Sequence, residues 1–296
     1  MAELDEVLQV QWEGGPASAA GGVATGHGHL GEGWLIGHAI NGGVLMALGL
    51  EAAAQGLTAS GHTAPLSWGA HFLSAAVAGP VDVAVEVLRT GRTVSTVQVR
   101  VLQDVARREA TDAGVPGPGG PVPVERVRLV ATFGDVTRTE PVHRTPAPPP
   151  VPPAEECLPA TRESSPAAAA ITMLDRLDVR IDPSTAGFAV GRPSRKGVIR
   201  AWLRMRDGRQ PDVTMLPYAV DALMPVSFDL GVPGWAPTLE LTGQLLADPA
   251  PGWLLVELST DTVVGDLLVE DALVWDSGGR LVARSRQLAG VRMPPA

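Results

Sequence analysis

The order of apolar and polar positions predicts one helix followed by a run of strands in each half of the chain. Residues 38–57 place Leu45, Leu48 and Ala52 at helical spacing, and Gly56 stops the pattern. The stretches 65–73 and 124–134 are rich in β-forming residues. Alternating valines between them predict a hairpin with its turn at Gly91: Val81, Val83, Val85, Val87, then Val97, Val99 and Val101.

The second half repeats this order. Residues 216–231 are predicted to form its helix, after candidate strands at 175–181 and 197–206. Four further strands are predicted after that helix, at 236–246, 252–263, 266–276 and 280–293.

Matching residues in the two halves indicate an internal repeat. Pro65 and Pro237 are 172 positions apart, and Glu86 and Glu257 are 171 apart, whereas residues 129–131 recur 152 positions later. The drop of 19 is close to the length of a Pro/Gly insertion around 106–126. We therefore predict two related units, 1–140 and 169–296, with 141–168 as a stiff proline-rich linker outside helix and sheet. Two unrelated α+β domains are the alternative.

Composition narrows the partners and the compartment. The 23 basic and 32 acidic residues give a net charge of −9, which argues against nucleic acid as a partner. Cys157 is the only cysteine, so no internal disulfide or cysteine-based zinc site is expected, and a reducing cytoplasm fits. The amino terminus has no secretory pattern, and the apolar stretch Ala39–Ala54 is too short to span a membrane.

Three motifs have a structural explanation beside a functional one. GHGHLG at 26–31 matches a dinucleotide fingerprint, but no buried strand is predicted before it, which favours a plain glycine loop. His27, His29 and His38 lack a carboxylate at a matching spacing, so no metal is predicted. Seven basic residues between Arg192 and Arg209 fit either a solvated strand face or a phosphate site.

Asp221 is the most informative carboxylate. It lies in an otherwise apolar helix candidate, where an unpaired charge is costly. It is either a helix-cap or surface residue, or a carboxylate that orients and activates water.

Several segments carry a family resemblance: NGG at 41–43, HFL at 71–73, AVDALMP at 219–225, WAPTLELT at 235–242 and LVWDSGGRLVARSRQ at 273–287. With them the chain resembles the double-hotdog acyl-CoA thioesterases of the thioesterase II type. The resemblance implies an α+β tandem double hotdog, with two antiparallel sheets each wrapped around a central helix. It also implies a homodimer that hydrolyses acyl-CoA in fatty acid metabolism.

The resemblance also implies site residues. Asp221, Thr238 and Gln287 match the family's catalytic positions, where the side chains hold a water for attack on the thioester. Asn41, Gly42, Gly43 and His71 are the matching substrate-binding candidates, and neither metal nor cofactor is implied. The chain departs from the family at Ser74 and Ala75, which replace an Arg-Pro pair, and at Val44, which replaces a glutamine.

Two other functions stay open. His38 and Asp221 fit parts of the pattern of a hotdog dehydratase acting on 3-hydroxyacyl thioesters, although the proline of that pattern is missing. A non-catalytic acyl-CoA-binding protein would keep the same fold.

Overall fold

The computed structural model describes residues 1–105, 122–136, 145–165, 168–232, 234 and 236–291. The helices are α1 Glu3–Val7, α2 Gly42–Gly56 and α3 Leu216–Ala219. The strands are β1 Gln11–Trp12, β2 Val23–Leu30, β3 Leu35–Ile36, β4 Ala39–Ile40, β5 Ala64–Phe72, β6 Gly79–Thr90, β7 Ser95–Val105, β8 Val122–Gly134, β9 Leu158–Ala160, β10 Leu177–Ile181, β11 Val198–Met205, β12 Thr238–Leu245, β13 Leu254–Val264, β14 Leu267–Trp275 and β15 Leu281–Gly290.

Thirteen strands of the described part form one antiparallel sheet, in the order β1-β2-β6-β7-β8-β5-β12-β15-β14-β13-β11-β10-β9. Read outward from the middle, β5-β8-β7-β6-β2 in the first half corresponds to β12-β15-β14-β13-β11 in the second. This matching strand order is consistent with the predicted repeat. The expected two sheets, each wrapped around a central helix, are not distinguished in the strand pairing, because β5 and β12 pair edge to edge and join the halves.

Helix α2 confirms the predicted first-half helix and is buried along most of its length. Asn41 caps its N-terminus, where the Asn41 side chain accepts a hydrogen bond from the Val44 N–H. A Cβ at Gly49 would lie 3.1 Å from Leu129 and from Val99, so a small residue here lets the helix pack closely on β7 and β8. No helix within the described ranges is long and apolar enough to cross a membrane.

The helix predicted over 216–231 is wrong beyond its first turn, since α3 ends at Ala219. Pro225 is incompatible with a regular helix that continues to residue 231. In a continued helix the carbonyl of Asp221 would accept a hydrogen bond from the backbone nitrogen of residue 225, which in proline carries no hydrogen. That carbonyl accepts instead from the Asn41 amide at 2.9 Å, and the Val226 N–H donates to the Glu270 carboxylate at 2.7 Å.

Residues 26–30, predicted as a glycine loop, belong to strand β2. Gly26 and Gly28 let the N-terminal segment cross this strand closely, because a Cβ at Gly26 would lie 2.0 Å from the Val10 side chain. The glycines of this motif therefore serve packing. Only a three-residue 3₁₀ turn, Glu32–Trp34, follows them directly, instead of the α-helix that a pyrophosphate site requires.

The linker prediction is wrong in one part. Leu158–Ala160 forms strand β9, which pairs with β10 at the edge of the sheet. Linker carbonyls also accept hydrogen bonds from two tryptophans: Pro152 from the half-buried Trp202 at 2.8 Å, and Pro146 from the buried Trp275 at 3.0 Å. The linker residues 141–144 and 166–167, and most of the predicted insertion, 106–121, lie outside the described residues.

Close packing of Gly243 against Trp68 is expected to stabilise the junction between the halves. Gly243 of β12 lies opposite Trp68 of β5, and a Cβ at Gly243 would lie 2.2 Å from the buried Trp68 ring. Gly243→Ala should therefore lower the free energy of unfolding by about 1–3 kcal/mol, measured by chemical denaturation. Gly69→Ala on β5 is the matched control, since its Cβ would meet only Thr242 at 3.8 Å. Equal effects of the two substitutions would contradict this packing.

Candidate active site

The Asp221 carboxylate lies against the N-terminus of α2. Its Oδ2 accepts hydrogen bonds from the Gly43 backbone N–H at 2.7 Å and from the Asn41 side-chain amide at 3.3 Å. The Asn41 carboxamide oxygen meanwhile caps the Val44 N–H at 3.1 Å. A carboxylate is favoured here, because the first turn of a helix presents free N–H groups and the positive end of its dipole.

The two glycines of the NGG segment are required by close contacts. A Cβ at Gly42 would lie 2.8 Å from the Phe72 ring and 3.0 Å from the Asp221 carboxylate. A Cβ at Gly43 would lie 2.9 Å from the Tyr218 carbonyl. Without side chains at these positions, the turn containing Asp221 can approach the helix N-terminus.

Thr238 and Gln287 are in direct contact. The Thr238 hydroxyl donates to Gln287 Oε1 at 2.6 Å, where β12 begins beside β15. The Gln287 Nε2 in turn donates to the Glu270 carboxylate, whose other oxygen accepts from the Val226 N–H. Among the described residues no hydrogen bond joins Asp221 to this group, but its charge acts on Glu270.

Glu270 was not predicted from the sequence, although a signal for it was present. On β14 it shares the buried face with Leu268, Ala272 and Val274, and its side chain is only 3% exposed. A glutamate in an alternating apolar series marks a carboxylate that needs a specific partner. The partner is Gln287, directly opposite on β15.

Burial raises the pKa of both carboxyls. It raises the pKa of Asp221 to about 7, against the opposing effect of the bonds from Gly43 and Asn41. It also raises the pKa of Glu270 to about 7; the bonds from Val226 and Gln287 oppose this, and the charge of Asp221 adds to it. Asp221 thus accepts a proton readily near neutral pH, as a general base requires.

Two histidines named from the sequence, His71 and His38, are exposed at the surface. The His71 side chain is exposed, and the strand alternation puts it on the opposite face of β5 from Phe72, whose ring contacts the Gly42 backbone region. This placement does not support His71 as a residue lining the Asp221 site. His38, of the dehydratase alternative, is exposed in the turn between β3 and β4.

The other candidate groups are largely engaged in ion pairs. His27 hydrogen-bonds to Asp82 at 2.7 Å and to Glu13 at 2.8 Å, at the surface. In the basic segment, Arg200 pairs with Glu257, Arg204 with Asp178, and Arg209 with Asp5 and Asp212. Arg195 and Lys196 line an open cleft of about 390 Å³ together with Thr260 and Asp261.

Sequence comparison decides the family. Residues 30–134 match the acyl-CoA thioesterase N-terminal domain, and residues 147–291 match the acyl-CoA thioesterase C-terminal domain. The chain belongs to the acyl-CoA thioesterase family. An uncharacterized protein of Mycobacterium tuberculosis is 32% identical over 280 residues, which cover 89% of this chain and 90% of that protein.

Solved structures of similar proteins agree. A protein from Thermobifida fusca assigned as a thioesterase II shares 30% identity with a TM-score of 0.79, over 99% of this chain and 98% of that one. A hotdog-fold protein of unknown function from Alicyclobacillus acidocaldarius, 20% identical, covers both chains fully with a TM-score of 0.78. The large antiparallel sheet of this thioesterase-family chain is therefore of the hotdog type.

The raised pKa values predict how stability depends on pH. Between about pH 4 and pH 7 the folded chain holds protons on Asp221 and Glu270 that the unfolded chain releases. Their contribution to stability is full below the unfolded pKa and is lost as the pH rises through about 7. Asp221→Asn should therefore stabilise the fold increasingly from pH 5 to pH 8, by on the order of 2 kcal/mol.

Thermal unfolding across this pH range measures the effect. Asp261→Asn, which removes an exposed carboxylate, is the control and should follow the wild type. An Asp221→Asn difference that stays constant from pH 5 to pH 8 would show that the Asp221 carboxyl titrates alike in both states.

Proposed function

We propose that this protein hydrolyses acyl-CoA thioesters to a free acid and coenzyme A, with Asp221 as general base. The main support is the position of the Asp221 carboxylate at the N-terminus of α2, in a chain that belongs to the acyl-CoA thioesterase family. Thr238 and Gln287 would position the attacking water beside it. No cofactor or metal enters the proposal, because water is the nucleophile and the developing charge can be met by hydrogen-bond donors.

In the proposed reaction, Asp221 first removes a proton from water and later returns it to the leaving thiolate. Asp221 takes a proton from water while the water oxygen forms a bond to the thioester carbon. The carbonyl oxygen becomes an oxyanion, for which the Gly42 N–H is the candidate donor, since Gly43 donates to Asp221 and Val44 to Asn41. The carbon–sulfur bond then breaks, and the thiolate receives the proton from Asp221.

The finer architecture is also a proposal. We propose two hotdog repeats, 1–140 and 169–296, joined by residues 141–168, with a long central helix in the first and only one helical turn in the second. The matching strand orders support it. A cytoplasmic location and a homodimer remain predictions from the single cysteine and the family resemblance, and light scattering of the purified protein tests the dimer.

A free-thiol assay over a panel of acyl chain lengths tests the activity. At least one acyl-CoA should be hydrolysed, and Asp221→Asn should lower kcat by about 10²–10⁴-fold. Asp276→Asn is a control. Asp276 is also a buried carboxylate, and it accepts hydrogen bonds from the backbone N–H groups of Ala250, Gly278 and Arg280. Full activity in Asp221→Asn would overturn the assigned base.

The same purified protein distinguishes the two other functions. Loss of water from a 3-hydroxyacyl thioester, followed by mass spectrometry, would identify a dehydratase. Tight binding of acyl-CoA without turnover of any chain length would identify a non-catalytic binding protein.

The pH dependence of hydrolysis supplies an independent check on the base. Because the pKa of Asp221 is raised to about 7, the ionised form needed to accept a proton is depleted below that pH. We expect kcat/KM to rise with pH up to about 7 and then to level off. A rate that is flat from pH 5 to pH 8 would contradict a carboxylate base with this pKa.

A further inference from the structure

The hydrogen bonds that connect Glu270, Gln287 and Thr238 have a definite direction. Both carboxylate oxygens of Glu270 accept hydrogens from nitrogen, one from the Val226 backbone and one from the Gln287 side chain. In its ionised form Glu270 has no hydrogen to donate, so the Gln287 side chain then presents its NH₂ group to Glu270. Its oxygen then faces Thr238, whose hydroxyl donates to it at 2.6 Å.

This direction determines what Thr238 can offer to water. The single hydroxyl hydrogen of Thr238 is donated to Gln287. Toward a water molecule, the Thr238 oxygen can therefore only accept a hydrogen bond. A water that donates one hydrogen to Thr238 and the other to the Asp221 carboxylate keeps a lone pair free for attack on the thioester carbon. With the Gln287 amide reversed, the Thr238 hydroxyl would instead donate to that water, occupy one of its two lone pairs and no longer accept one of its hydrogens.

We infer that Glu270 is a positioning residue for hydrolysis, which acts by fixing the orientation of the Gln287 amide and thereby making Thr238 an acceptor for the attacking water. The inference rests on the proposed function. Glu270 is 3% exposed and lies directly across from Gln287 in the β14–β15 register, so it acts through Gln287 rather than on substrate.

Glu270→Gln tests this with little change in shape. The substituted side chain can still accept from the Val226 N–H through its oxygen, but it then presents NH₂ to Gln287. Gln287 must turn its own oxygen toward position 270, which reverses the bond to Thr238. We expect kcat to fall roughly 10- to 100-fold with KM little changed. Asp271→Asn is the matched control on the same strand, because that side chain faces outward and pairs with Arg286.

A double-mutant cycle separates positioning from a purely structural role. If Glu270 acts through the Thr238 hydroxyl, Glu270→Gln should cost less than about 3-fold in a Thr238→Val background, where no hydroxyl remains to be reversed. The same fold loss in both backgrounds, or wild-type kcat in Glu270→Gln, would overturn the inference.

A spectroscopic measurement on the wild-type protein needs neither activity nor a folded variant. In the ¹⁵N-edited spectrum, one side-chain amide hydrogen of Gln287 should lie downfield of free glutamine, because it is bonded to a carboxylate. A free-glutamine shift would overturn the inference even if hydrolysis is observed. A downfield shift without hydrolysis of any acyl-CoA would keep the hydrogen-bond direction and overturn the catalytic role, together with the proposed function.

Discussion

The carbonyl of Asp221 is the group on which the site depends. Pro225 stands where the helical donor to this carbonyl would be, so no regular helix can run through residue 225, and the carbonyl needs a donor from elsewhere. Asn41 provides that donor while capping α2 with its other side-chain atom. One side chain thus caps α2 and bonds the segment after α3, which bridges the two halves and holds the Asp221 carboxylate at the first turn of α2.

The electrostatics of the site follow from that placement. Two carboxylates lie in a poorly solvated region, and each is compensated by hydrogen bonds from neutral groups rather than by an arginine or lysine. Neutral donors stabilise a negative charge less than an opposite charge does, so desolvation prevails and the pKa of each group rises. The consequence is a pair of carboxyl groups that bind and release protons near neutral pH, at a cost in folding stability.

The sheet brings these parts together. Direct pairing of β5 with β12 places the start of β12, with Thr238, close to the end of β5, with Phe72, whose ring contacts the Gly42 region beside Asp221. Cross-strand register then sets Gln287 opposite Glu270, and the Val226 N–H freed by the broken helix binds Glu270. Glycines at 42, 43 and 243 make these approaches sterically possible.

By itself the sequence determined the elements with strong periodicity, the repeat and the unusual position of Asp221, because alternation, helical spacing and a charge among apolar residues are local properties. Only the tertiary structure decided that two sheets join into one, that residues 26–30 form a strand, and that His71 faces away while Glu270 faces in. Those outcomes depend on which backbone and side-chain groups from distant segments supply or remove hydrogen-bond partners, and sequence spacing does not encode this directly.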